Sequence, residues 1–157
     1  MEQLSIDKKM ENLFSKYQQL ASSIPDKKFR KYFRLKTLSN LIYHLRDVKN
    51  EDQEWVYESI SKYIDEFHAS LNEMSSEKSI QLYFTHLKKT TSYYDRYLGF
   101  AYFTPQVIIF LYAVIAFGLY LFTNPFFSIS ISLLIVLVII SYYYKKHREK
   151  KLYGTFY

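Results

Sequence analysis

The chain has 157 residues, no Cys, and a formal net charge of +6 from 21 basic and 15 acidic side chains. The missing Cys excludes disulfides, thiolate metal sites and Cys nucleophiles. Three Gly beside 17 Tyr and 13 Phe argue against Gly-rich phosphate loops and for helices. The charge is unevenly spread. Residues 1–99 carry 16 basic and 14 acidic side chains, residues 145–157 five and one. The basicity therefore sits largely in a short segment after an apolar region, which weakens a nucleic-acid reading.

In chain order, Met1 to Lys9 is polar and charged, so no cleavable signal peptide is expected. Ser5 is a candidate N-cap for a first helix running to about Ser22, with Ile6, Met10, Leu13, Phe14, Tyr17, Leu20 and Ala21 on its apolar face. Pro25 sets a boundary. A second helix is expected from Asp26 to Val48, with a stripe from Phe29 to Val48. Asn50 and Gln53 have the spacing of a capping box. They would open a third helix to about Glu73 that buries Val56, Ile60, Tyr63, Ile64, Phe67 and Leu71. Ser75 or Ser76 would cap a fourth, with Ile80, Phe84, Leu87, Tyr94 and Leu98 inward. Short links between amphipathic helices predict an all-α, up-down bundle of four over residues 1–98.

Residues 99–103 form the expected joint to the membrane. From Tyr97 to Tyr144 there is no Asp, Glu, Lys, Arg or His. The break Thr123-Asn124-Pro125 divides this stretch into segments 104–122 and 126–144, each of 19 residues. At 1.5 Å per residue each reaches roughly 28 Å, close to a bilayer's hydrocarbon thickness. The pair reads as a C-terminal transmembrane hairpin over 104–144, followed by a basic cytoplasmic tail, 145–157. Thr104 and Pro105 suit the start of the first span. Aromatic residues flank both ends: Tyr97, Phe100, Tyr102 and Phe103 before, Tyr142, Tyr143 and Tyr144 after. With Lys145, Lys146 and Arg148 these form the expected membrane-interface set. Lys88, Lys89 and Arg96 precede the hairpin, basic residues follow it, and its turn has no charge. Both termini are therefore expected in the cytoplasm, with a bacterial inner membrane as the default location.

Three candidate sites follow. The run Asp26 to Lys36 holds six cations, and Lys27, Lys28, Arg30, Lys31 and Arg34 are the expected lipid- or partner-binding residues. Its alternative is a solvated face balanced by acidic residues of the third helix. Antiparallel packing would bring His86 level with Asp65, near Glu66 and His68. Asp65, His68 and His86 are then the metal-ligand candidates, although surface histidines explain the pattern more simply. No metal, cofactor or catalytic residue is assigned. Within the apolar spans, Ser128 and Ser132 have small-xxx-small spacing, and Ala113, Ala116 and Gly118 lighten the first segment, which suits close helix packing or self-association.

The expected function is non-enzymatic: a membrane-anchored binding, scaffold or regulatory subunit whose partners are the bilayer and a protein or a second copy of the chain. One alternative is an oligomeric pore-forming or membrane-perturbing two-span effector, an architectural analogy only. A second is an enzyme at the membrane surface.

Overall fold

The computed structural model describes residues 5–24, 34–102, 105–122 and 125–153. The chain is mostly helical: α1 (Ile6–Ser23), α2 (Leu35–Tyr43), α3 (Asn50–Ala69), α4 (Ser76–Leu82), a π-turn (Tyr83–Leu87), α5 (Lys88–Leu98), α6 (Pro105–Phe122) and α7 (Pro125–Arg148). Short 3-10 turns follow α2 (Leu45–Asp47) and α3 (Leu71–Glu73). Two short strands, β1 (Ala101–Tyr102) and β2 (Leu152–Tyr153), pair in parallel, Ala101 opposite Leu152 and Tyr102 opposite Tyr153.

The first and third helices form largely as their periodicity implies. The third ends at Ala69 rather than near Glu73, and Leu71, expected inward, is only half-buried in the following 3-10 turn. α1 buries Met10, Leu13 and Leu20, and α3 buries Val56, Ile60, Tyr63, Ile64 and Phe67. The two pack on each other, and α1 also packs on α2. Polar contacts rim the seam: Lys9 pairs with Glu54, and Lys16 holds both carboxylate oxygens of Asp65, at 2.9 and 2.7 Å. Ser5 is the N-cap of α1, but its side chain makes no capping bond. Ser75 caps α4 by accepting from the Lys78 amide at 3.1 Å. The expected capping box at Asn50 is displaced by one residue. Lys49 is the N-cap of α3, and its carbonyl accepts from the Asp52 and Gln53 amides. Gln53 instead donates through its side chain to the Val48 carbonyl at 3.0 Å.

Two expected helices are interrupted. No single helix runs on to Val48: Arg34 stands in the left-handed region (φ 46°) immediately before α2, which ends at Tyr43. The fourth helix contains the π-turn. Ile80 and Phe84, expected in the core, are 38% and 56% exposed, whereas Leu82 and Leu87 are buried. Leu82 and Leu87 lie five positions apart, the repeat of a π-turn, in which one extra residue per turn rotates the flanking faces relative to each other. Thr90, Thr91 and Tyr94 continue the buried side of α5, and Tyr94 donates its hydroxyl to the Leu41 carbonyl at 2.8 Å.

Part of the segment 145–157, expected as a basic tail, is folded against the helices. α7 continues through Lys145 to Arg148, and Lys150 (φ 54°) then reverses the chain. The Lys151 amide donates to the Lys146 carbonyl at 2.9 Å, a Schellman-type helix end built without glycine. Leu152 and Tyr153 are thereby buried, and β2 packs on α2. Asn40 donates to the Leu152 carbonyl at 2.8 Å, and His44 Nε2 lies 2.8 Å from the Glu149 carbonyl. At the other end of the apolar region, Gly99 terminates α5 in a left-handed conformation (φ 66°). A Cβ there would meet only Lys146 Nζ, at 3.5 Å, so the backbone rather than crowding requires glycine. The Gly99 carbonyl accepts from Lys146 at 2.6 Å. Phe100, read as part of an interfacial belt, is 2% exposed and packs edge-on against Tyr94 and His44.

α6 and α7 pack against each other. Among the described residues, one helical stretch, Ile129–Arg148, is long and apolar enough to cross a membrane, and the apolar stretch Tyr112–Leu121 is shorter. Large apolar side chains on both helices, including Ile109, Phe117, Leu134 and Val138, are exposed. Ser132 is buried, whereas a Cβ at Gly118 would touch nothing within 4 Å, so Gly118 is not a point of close approach. The side chain of Ser128 lies outside the described residues.

Candidate functional site

Where α4, the π-turn and α5 face the strand pair, a cleft of ≈ 390 Å³ opens beside Arg34. The π-turn creates it by turning Ile80 and Phe84 outward as one wall. Tyr83, Lys88 and Thr91 continue that side, and Tyr102 and Tyr153, one from each strand, close the other. Tyr83 and Thr91 share a hydroxyl–hydroxyl bond of 2.9 Å across the turn. The Lys88 ammonium lies 5.1 Å from the Phe84 ring centroid, and the Tyr102 and Tyr153 rings stand 5.2 Å apart.

Arg34 is the unusual member of this lining. Its residue is 2% exposed, and Nη1 donates to the Ser79 carbonyl and hydroxyl, each at 2.9 Å. The guanidinium carbon lies 4.7 Å from the Tyr83 centroid, within cation–π range. Among the described residues, no carboxylate forms an ion pair with Arg34, and Nε has no hydrogen-bond partner. Arg34 was expected among the lipid- or partner-binding cations of the basic run; in the structure it is buried rather than part of a solvated face. Its left-handed backbone turns the side chain inward under α4. Lys27, Lys28, Arg30 and Lys31 lie outside the described residues.

The buried phenols respond to this environment. Burial pushes Tyr63 up to about 12 from an ordinary 10.0, while the nearby Arg34 charge pulls the other way. Burial likewise raises Tyr83 and Tyr153, with Asp95 adding to the rise at Tyr153. For Tyr63 the sign is fixed by proton count. The unfolded chain releases its proton near pH 10, and the folded chain holds it to about pH 12. The stabilisation is complete below pH 10 and is lost as the pH rises through 12, on the order of 2 kcal/mol. Tyr63→Phe is therefore expected to flatten the fall of Tm over this window; parallel wild-type and variant profiles would contradict it.

The metal-ligand candidates are brought together only in part. His86 does come level with α3, its Nε2 3.0 Å from a Glu66 oxygen, but without hydrogen-bond alignment. Asp65 is taken by Lys16, and His68 is exposed. Among the described residues no group of three or more His, Asp or Glu could hold a metal ion. An ammonium already fills the position a cation would need beside Asp65.

The expected interface residues divide similarly. Tyr97, Tyr102, Tyr142 and Tyr144 are exposed, as are Lys145 and Arg148. Tyr143 is half-buried and donates to the Tyr102 carbonyl at 3.2 Å. Lys146 is half-buried and serves the Gly99 carbonyl. A second, smaller hollow lies beside Trp55, with Lys89 4.4 Å above its ring and Tyr93 edge-on to it at 5.6 Å. Sequence reasoning missed Tyr83, Lys88 and Tyr153 as cleft residues; the five-residue spacing of Leu82 and Leu87 was the one available signal.

Comparison with known proteins finds no family model that matches the chain, and no curated protein or solved structure that matches it.

Proposed function

We propose that this chain is an integral membrane protein in which α6 and α7 form a two-span hairpin, and that the N-terminal helices act as a non-enzymatic scaffold or regulatory subunit at the cytoplasmic face. The uncovered apolar surface of α6 and α7 supports the spans, because lipid would cover what the protein leaves open. The basic residues flanking the pair and its uncharged turn support the orientation. The observation that carries the functional reading is the attachment of both ends of the apolar pair to the helical unit. The β1–β2 ladder, the Lys146–Gly99 bond and the Asn40–Leu152 bond hold entry and exit together. Such an anchor holds its cargo in one orientation, which suits a positional role that raises local concentration.

Affinity purification from native membranes tests the role. A stoichiometric protein partner supports a subunit; self-assembly with ion leakage, or turnover of a substrate, contradicts it. Topology is separately testable, because the natural chain has no Cys and single variants are unambiguous. Asn124→Cys is expected to react with a membrane-impermeant thiol reagent in intact cells, and Ser5→Cys and Thr155→Cys are not. Labelling of a terminus but not the turn would reverse the orientation.

A further inference from the structure

We infer that the cleft beside Arg34 is a binding site for a phosphate-bearing ligand, the phosphate held between Arg34 and Lys88 and an apolar or flat body lying along Phe84, Ile80 and Tyr102. Three observations converge. A guanidinium withdrawn from water without a counter-charge is costly, and an anion is the partner that offsets the cost. Arg34 has this character, with one nitrogen unpartnered and no ion pair among the described residues. Among the described residues, the cleft lining contains a second cation, Lys88, and no acidic residue, so its field favours an anion. A guanidinium fork and an ammonium together match the tetrahedral oxygens of a phosphate ester.

The volume supplies the rest of the description. At ≈ 390 Å³ the cleft is larger than one phosphate and falls in the range of small-molecule sites. Its remaining walls are rings and an aliphatic side chain, with hydroxyls from Thr91 and Ser92 on one side. A phosphate carrying a hydrophobic or planar group fills such a space, whereas bare phosphate leaves the aromatic wall wet. The site stands beside the strands that join the ends of α6 and α7. A phospholipid headgroup and a soluble phosphorylated molecule both present this chemistry. The phosphate assignment stands without the membrane reading; only the lipid source rests on it.

The test uses the full chain purified in an uncharged detergent. The probes are short-chain phosphatidylglycerol, the matching diacylglycerol without phosphate, adenosine monophosphate and inorganic phosphate, followed by thermal shift and calorimetry. A phosphate-bearing probe is expected to raise Tm, and the diacylglycerol is not. Lys88 is exposed, so Lys88→Gln leaves the fold intact, and binding is expected to weaken at least tenfold. Arg34→Met, which keeps the volume and removes the charge, is expected to abolish the ligand-induced shift whatever its own Tm. Binding by the lipid alone assigns the site to a headgroup, and binding by adenosine monophosphate to a soluble ligand. The proposal fails if no phosphate-bearing probe binds, or if binding is equal in wild type and Lys88→Gln. Because the assay contains no bilayer, a negative result leaves the cysteine-labelling test of topology intact.

Discussion

Ile60→Asp is expected to abolish the cooperative thermal transition of the full chain in mild detergent. Ile60 is fully buried on α3, which packs against α1 and the π-turn, and belongs to the hydrophobic core cluster. The substitution removes apolar burial worth roughly 2 kcal/mol. It also leaves a carboxylate that must be either desolvated or protonated, at a cost of several kcal/mol more. Together these consume most of the ~5–15 kcal/mol that stabilises a typical domain. Ile60→Val, which deletes one methylene, is the matched control and is expected to cost only about 1 kcal/mol. A variant with Asp at position 60 that melts within a few degrees of wild type would show that α3 does not carry the core.

Leu152→Asp is expected to be nearly as damaging, although the residue follows both apolar helices in sequence. Leu152 is 2% exposed, and its backbone carbonyl is held by Asn40. A carboxylate there breaks the packing of β2 on α2 and loosens the neighbouring Tyr153 against Tyr102. The expected loss is roughly 3 kcal/mol or more, the range for an unpaired buried charge. Limited proteolysis reads it directly, since residues 149–153 should become cleavable before the helices melt. If they remain as protected as in wild type, the segment is not part of the core. The same observation limits any fragment ending near residue 96: it would lack Phe100, Leu152 and Tyr153, all of which are buried in the intact chain.

The helices legible in the sequence are those whose burial follows 3.6-residue periodicity without interruption. In α1 and α3 the spacing of Met10, Leu13 and Leu20, and of Val56, Ile60, Tyr63 and Phe67, marks the buried face directly. Where backbone geometry departs from the α-helix, the same rule misplaces side chains. It put Ile80 and Phe84 inside because it assumes 100° per residue across a turn that is wider. Arg34 was hidden for a different reason. It belongs to a run of cations, and a run of cations reads as a wet face whichever member turns inward. Leu152 and Tyr153 have too few neighbours to show any period, and the five basic residues before them suggest solvent. The cleft is built from these three irregularities, and only the five-residue spacing of Leu82 and Leu87 hinted at one of them. The apolar stretch itself was plain from composition, since it lacks ionisable residues from Tyr97 to Tyr144.

The contact between Asn40 and Leu152 spans 112 positions, and this imposes an order on assembly. At ~5–20 residues per second, roughly 6–20 seconds of synthesis separate the two partners. During that interval the seat for β2 on α2 is open, and Asn40 and His44 have no chain to receive. β2 can reach it only when α6 and α7 have run out and back, bringing residue 152 beside residue 101. Final closure of the N-terminal unit thus reports that the apolar pair has been correctly laid down. A chain whose apolar helices are misplaced leaves the face of α2 that receives β2 uncovered.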